Sequence, residues 1–232
     1  APHYPYQGPD DPPMRGAGRK ADGEAYAPGQ VARAYREMLR EMDKGVGEIV
    51  ATLERLGLAH DTVVFFCSDN GATREGSNGA LRGHKGTLWE GGHRVPAIAA
   101  WPGRIRPGTT SATALTMDVM PTLLKLAGAT APKDRKLDGV SLAGMLIRDE
   151  PLPARTVFWD YQGQTAVRSG PWKLLIGAPA GRGGATTETY LFNLEQDLGE
   201  TRDRSHEEAD LRDRLLLEQG RWRAEVAGPK ER

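Results

Sequence analysis

The sequence predicts an α/β fold that continues into a small antiparallel sheet and a closing helix, and three patterns carry that expectation. A long stretch with three-and-four apolar spacing leads into a β-branched, aromatic run without alternation, the look of a central strand covered on both faces. A second apolar strand follows a Gly-rich loop. From about Pro151 the texture changes to several short strand-like runs, which suit a separate antiparallel sheet.

Residues 1–30 are rich in Pro, Gly and charge and read as an irregular surface segment. From Val31 the apolar positions Ala34, Tyr35, Met38, Leu39, Met42, Val46, Ile49, Val50, Leu53 and Leu56 mark one face of an amphipathic helix, which Gly57 ends. The strand Thr62–Cys67 runs straight into Ser68-Asp69-Asn70-Gly71, so these polar groups sit at a strand's carboxyl end, where open α/β sheets place their ligands. The loop from Gly71 to Gly92 is long for a connector, and long loops between sheet elements are often functional. Val95 to Trp101 forms the next strand, closed by Pro102-Gly103. Met117 to Ala127 has helical spacing with Gly128 just past its end, and Leu142, Met145 and Leu146 suggest a short helix. The small sheet is expected from Thr156–Trp159, Thr165–Arg168, Trp172–Ile176 and Thr189–Leu194, with a Gly-Ala stretch from Gly177 to Thr187 and a charged helix from Glu207 to about Val226. The expected division is therefore a main α/β part over 1–150 and a small C-terminal α+β subdomain over 151–232. The absence of an internal repeat excludes a solenoid or propeller.

Composition narrows the function classes. Apolar residues at 38% suffice for a core. Lys plus Arg and Asp plus Glu are both 31, so no net field favours polyanions, and nucleic acid is not an expected partner. The single cysteine, Cys67, excludes an internal disulfide framework, and its place in the strand reads as a small buried hydrophobe. No run of about 18 apolar residues is present, so no membrane span is expected. The chain starts on Ala-Pro-His without a methionine, which suggests a processed or excerpted chain, so the lack of a signal peptide does not argue for the cytoplasm.

Asp69 and Asn70 offer a carboxylate and an amide oxygen side by side, the donors chosen by calcium or magnesium. Asp-Asn-Gly is also good turn chemistry, so the tetrapeptide alone leaves both readings open. Further residues extend the pattern: Gly83-His84-Lys85-Gly86-Thr87-Leu88-Trp89-Glu90-Gly91-Gly92-His93-Arg94-Val95-Pro96, then Trp101-Pro102-Gly103. Together with the strand ending in Ser68-Asp69-Asn70-Gly71, this resembles the sulfatase family. The family's pattern there is Ser-Asp-Asn-Gly, a variable loop, Gly-x-Lys-Gly-x-x-x-Glu-Gly-Gly-x-Arg-x-Pro, a strand and Trp-Pro-Gly. The resemblance extends over nearly the whole chain. It takes in Pro2-His3-Tyr4-Pro5, Met117-Asp118-Val119-Met120-Pro121-Thr122, Leu137-Asp138-Gly139-Val140-Ser141-Leu142, Val167 to Leu174 and Tyr190 to Leu194.

The resemblance implies an alkaline-phosphatase-like mixed sheet with flanking helices, and the hydrolysis of a sulfate monoester. It implies Asp69 and Asn70 as ligands of calcium, with magnesium possible, Lys85 as a cation holding sulfate, and His3 facing the sulfate and the ester oxygen. The glycines around Lys85 would allow close backbone approach to a ligand. Position 84 varies in the family, so His84 is only weakly nominated. Glu90 and Arg94 read as an internal pair that shapes the lysine loop, and Trp89, Trp101, Trp159 and Trp172 as packing residues.

The family's nucleophile is a Cys or Ser, in a Cys/Ser-x-Pro/Ala-x-Arg motif, converted to formylglycine. This chain has no such motif; Ser169-Gly170-Pro171-Trp172-Lys173 comes nearest but has lysine in place of arginine. The nucleophile and the remaining metal ligands are expected upstream. Asp10-Asp11 lies in a Pro-rich stretch instead of after a first strand and is left out of the ligand set. The expected partner is a sulfated small molecule or glycan, and export to the periplasm or outside the cell is favoured over the cytoplasm. Two other readings remain: a phosphodiester or phosphonate-ester hydrolase of the same superfamily, and a non-catalytic fragment that binds anions or glycans.

Overall fold

The computed structural model describes residues 3, 6–11, 29–177 and 188–227. Most of the Pro-His-Tyr-Pro element, most of the 1–30 segment and nearly all of the Gly177–Thr187 stretch lie outside the described residues.

Helix α1 spans Gln30–Arg55, and Gly57 at φ +70° ends the run in a left-handed turn, as its composition suggests. Strand β1, Val64–Cys67, pairs antiparallel with β2, Ala97–Ala100, in the register Val64↔Ala100 to Cys67↔Ala97. Between them lies the long loop, whose only helical turn is α2, Glu90–His93. Helix α3, Val119–Leu126, and helix α4, Ala143–Arg148, follow. Strands β3 (Thr156–Tyr161), β4 (Gln164–Ser169), β5 (Trp172–Ile176) and β6 (Thr189–Asn193) form an antiparallel meander in sequence order, and α5, Ala209–Val226, closes the described chain.

The residues group into two compact units that interleave along the sequence: 1–48, 68–96 and 155–232 in the first, 49–67 and 97–154 in the second. The first unit holds both apolar clusters. On one face of the meander Val167, Leu174 and Leu191 pack on Leu215 of α5. On the other face Ala166, Leu175, Phe192 and Leu194 pack on Leu88 and Trp89 of the long loop. The alternation of β5 explains this split, because Leu174 and Leu175 necessarily point to opposite faces.

The second unit is tied by polar contacts. Asp118 is fully buried, and its carboxylate accepts the N–H groups of Leu115 (2.8 Å) and Val140 (2.9 Å). Thr122 donates its hydroxyl to the Asp118 carbonyl (2.6 Å) and accepts the Leu142 N–H (2.8 Å). Gly139 lies against this tie, where a Cβ would stand 2.0 Å from the Met117 carbonyl oxygen.

Two expectations about β1 do not hold. Its residues are half-exposed instead of covered on both faces, and Cys67 is exposed instead of buried. An apolar run without alternation needs a layer on each face, and the described residues cover Val64, Phe65 and Phe66 only in part.

Candidate functional site

The site grows from the end of β1. Ser68 holds its own turn, with its N–H on the Pro96 carbonyl (3.3 Å) and its hydroxyl on the Asn70 carbonyl (2.9 Å). Asp69 is exposed and Asn70 half-buried. The Gly71 N–H donates to the Gly92 carbonyl (2.9 Å) and the Lys85 N–H donates to the Ala72 carbonyl (3.0 Å), so the Asp69-Asn70 turn and the lysine loop are joined backbone to backbone. Half-buried Lys85 therefore sits on the loop adjoining Asp69 and Asn70.

The glycines make this junction possible. A Cβ on Gly71 would stand 1.7 Å from the Gly91 carbonyl oxygen, and one on Gly92 would stand 1.9 Å from the Thr87 carbonyl oxygen. Such separations are far inside van der Waals contact, so side chains at these points would pry the loops apart. The close approach expected toward a ligand is, at Gly71, Gly91 and Gly92, an approach of the protein's own backbone. Gly83 and Gly86, at φ +84° and +90°, flank Lys85 with conformations that other residues rarely adopt.

Among the described residues the Asp69 carboxylate, the Asn70 amide and the Lys85 ammonium make no side-chain hydrogen bond or ion pair. Asp69 and Asn70 thus fit as two oxygen ligands of a hard cation. A calcium shell takes about six to eight oxygens, and no group of three or more His, Cys, Asp or Glu able to hold a metal occurs among the described residues. The pair fits as part of a shell and does not complete one. The Asp11 carboxylate is engaged elsewhere: burial raises it, but Arg33 and the Gly8 N–H (2.8 Å) prevail and hold it below the usual carboxylate range.

His3 is exposed. Just beyond it Tyr6 is buried, its ring edge-on to Tyr35 of α1 at 5.4 Å, its hydroxyl 3.0 Å from the Thr73 hydroxyl and donating to Glu75 (3.3 Å). Tyr6 thus anchors its own part of the chain beside Thr73 and Glu75. His84 is exposed and turns its ring to the Lys85 carbonyl, 2.9 Å away.

Behind the lysine loop lies a cluster that sequence reasoning missed. Lys173 of β5 has no exposure, and its ammonium stands 2.9 Å from Glu90 Oε1, 2.8 Å from Glu200 Oε1 and 3.2 Å from His93 Nε2. Glu200 also accepts the Glu90 N–H (2.7 Å). Arg94 donates to Glu90 Oε2 (3.2 Å), which is the expected internal pair, and Arg168 approaches the same oxygen at 3.5 Å. Burial opposes ionisation of Glu90, but the Lys173 ammonium and its other cationic neighbours prevail and hold its carboxyl below the usual range. Burial dominates at Glu200 and pushes its carboxyl up despite Lys173. His93 is driven down to about 4, first by burial and then by Lys173, so it is neutral near pH 7 and its Nε2 can accept from the ammonium. The available signal was the lone lysine within the apolar run Trp172-Lys173-Leu174-Leu175-Ile176. Nothing near Glu200 in the sequence marks it as the partner.

Trp89 completes the seating of the loop. It packs at 5.6 Å from the Phe192 ring, with the Arg82 guanidinium 3.7 Å over the indole, while Arg82 donates to the Glu200 carbonyl (2.7 Å). Its assignment as a packing residue holds.

Comparison with known proteins agrees with the motif. The profile of the family described as Sulfatase matches residues 1–129. Steryl-sulfatase of Mus musculus is 39% identical over 223 residues, which is 80% of this chain and 35% of the mouse protein. Arylsulfatase A of Bos taurus is 41% identical over 65% of this chain and 32% of its own length. The crystal structure of Ps i-CgsB in complex with k-i-k-neocarrahexaose superposes with a TM-score of 0.76 at 28% identity, covering 96% of this chain and 48% of that one. The chain spans about a third of the length of these curated relatives.

Proposed function

The chain belongs to the sulfatase family, and from that premise we propose that it supplies one part of a site that hydrolyses sulfate monoesters. What carries the reading is the backbone junction that ties the Asn70-Gly71 turn to the Lys85 loop, with the Asp69, Asn70 and Lys85 side chains bonded to no other described residue.

In this reading Lys85 holds a sulfate oxygen as a point charge and steadies the charge that grows on the transferring group. His3 passes a proton to the departing alcohol oxygen as the sulfur–oxygen bond breaks. Asp69 and Asn70 would hold calcium, or magnesium in its place, and the ion would supply positive charge toward the sulfate. The nucleophile is a formylglycine that this chain does not contain. Residues 1–150 then contribute to the catalytic α/β domain, and 151–232 act as its C-terminal subdomain. The substrate class is a sulfated small molecule or glycan, and the protein works in the periplasm or outside the cell. No helix among the described residues is long and apolar enough to cross a membrane.

The test compares hydrolysis of an aryl sulfate and an aryl phosphate by the protein as its source makes it, with Lys85→Ala alongside. The sulfate ester is expected to turn over faster, with kcat/KM reduced about 100-fold or more by the substitution, the scale of losing one transition-state charge contact. Faster turnover of the phosphate ester would favour a phosphohydrolase of the same superfamily. The 232-residue chain by itself is expected neither to bind calcium tightly nor to hydrolyse sulfate esters; turnover at an enzyme-like rate would overturn that.

A further inference from the structure

We infer that Lys173 is a positioning residue for Lys85: buried between Glu90 and Glu200, its ammonium fixes the 83–94 loop against the Asp69-Asn70 turn. The inference rests on the reading of Lys85 as the sulfate-holding cation.

The loop has little regular structure of its own. Its single helical turn, Glu90–His93, cannot set the geometry of the residues before it. What holds it comes from elsewhere in the first unit. Leu88 and Trp89 sit in the apolar cluster on the meander, and the Leu88 N–H donates to Gln164 Oε1 (3.0 Å). Lys173 adds a directional grip, because its neighbours Glu90 and His93 lie at the two ends of that turn. Glu200 closes the arrangement, taking the ammonium at 2.8 Å with one oxygen and the Glu90 N–H at 2.7 Å with the other. Two hydrogen-bonding contacts, to Glu90 and His93, and one ion pair, to Glu200, thus surround a single ammonium.

The grip is passed on through short covalent and hydrogen-bonded steps. Gly91 and Gly92 follow Glu90 directly. The Gly91 N–H donates to the Arg82 carbonyl (2.7 Å) and the Gly92 carbonyl accepts the Gly71 N–H (2.9 Å). A displacement of Glu90 therefore moves the start of the lysine loop and the Asn70-Gly71 turn together. The contacts at Gly71 and Gly92 are too close to absorb such a shift.

Stability alone is a poor reason for a buried ammonium at this place. Replacing a buried ion network by apolar residues of similar volume is often neutral or stabilising, whereas directional charge contacts specify one arrangement among several. By strand alternation Lys173 shares a face of β5 with Leu175, a member of the apolar cluster. A role in fixing the loop accounts for the charge.

The test is a double-mutant cycle in the protein as its source makes it. Lys173→Met and the charge-balanced pair Lys173→Met/Glu200→Gln are each measured with Lys85 present and with Lys85→Ala. Misplacing a catalytic group by about 1 Å costs on the order of 100-fold, so kcat/KM on an aryl sulfate is expected to fall about 10- to 100-fold with Lys85 present. It should fall less than about 3-fold without it, because two residues acting through one group are non-additive. Equal falls in both backgrounds, or no fall in a folded variant, would overturn the inference. Should Lys173→Met not fold, the charge-balanced pair decides. Amide exchange supplies a second readout: peptides covering 83–94 are expected to exchange faster in the variants, while those covering 119–148 do not change. Unchanged exchange at 83–94 also overturns the inference. A protein that hydrolyses no sulfate ester would remove the functional reading and leave exchange to decide on the loop.

Discussion

The two compact units differ in where their apolar side chains end. In the first, Ala166, Val167, Leu174, Leu175, Leu191 and Leu215 have no exposure, and the meander is covered on one face by α5 and on the other by the lysine loop. In the second, Ile98 is 61% exposed, Ile49 60% and Met120 58%, and its buried apolar side chains are Leu142 and Ala143 among the described residues. The β1 and β2 strands nevertheless pair along their whole length. Pairing strands and burying their faces are thus separate steps.

The sharpest way to break this comparison is to remove comparable apolar bulk from each unit. Phe192→Ala, at a residue 1% exposed between Trp89 and Tyr190, is expected to cost about 3 to 5 kcal/mol in urea unfolding of the 232-residue chain. Ile98→Ala is expected to cost less than about 1 kcal/mol. A loss at Ile98 as large as at Phe192 would mean that the second unit has a core of its own.

A smaller effect tests the buried charges of the first unit. His93 has its folded pKa at about 4, below its ordinary 6.5, so on acidification the unfolded chain takes up that proton first. Stability attributable to His93 is therefore unchanged above pH 6.5 and declines as pH falls toward 4.5, by roughly 2 to 3 kcal/mol. Glu90, lowered, acts around and below the ordinary glutamate range, whereas Glu200, raised by burial, acts from that range upward and in the opposite sense, adding stability as pH falls; both groups are common to the two proteins compared. The comparison is between the parent and His93→Gln: the decline between pH 6.5 and 4.5 should be shallower in the variant. Parallel pH profiles would mean that His93 is not held neutral among Lys173, Glu90, Arg168 and Trp159.

The smallest change in stability is expected at the exposed face of the second unit. Ile98→Lys or Met120→Lys should leave the unfolding midpoint within about 0.5 kcal/mol of the parent, while binding of a hydrophobic dye falls. Undiminished dye binding would place the sticky surface elsewhere.

Much of this was legible in the sequence, for reasons that differ by element. The spacing from Val31 to Leu56 and the run Trp172–Ile176 set α1 and β5 almost to their ends, because both are local patterns. Asp69, Asn70 and Lys85 stood out through spaced glycines, and the structure joins their loops through those glycines. The exposure of Cys67 was not legible, because apolar composition tells what a strand can bury and not what covers it. Glu200 was illegible too, since its importance comes from meeting Lys173 across a long sequence separation.

By itself, then, the sequence determined the order and kind of the elements, the family, and the short motif that carries the candidate chemistry. These follow from periodicity and residue type within a few turns of chain. Only the tertiary structure decided that the C-terminal meander is the platform of the lysine loop and that Lys173 meets Glu90, His93 and Glu200. The physical reason is that burying an ammonium requires carboxylates brought from distant points in the chain, and such a meeting leaves no local pattern to read.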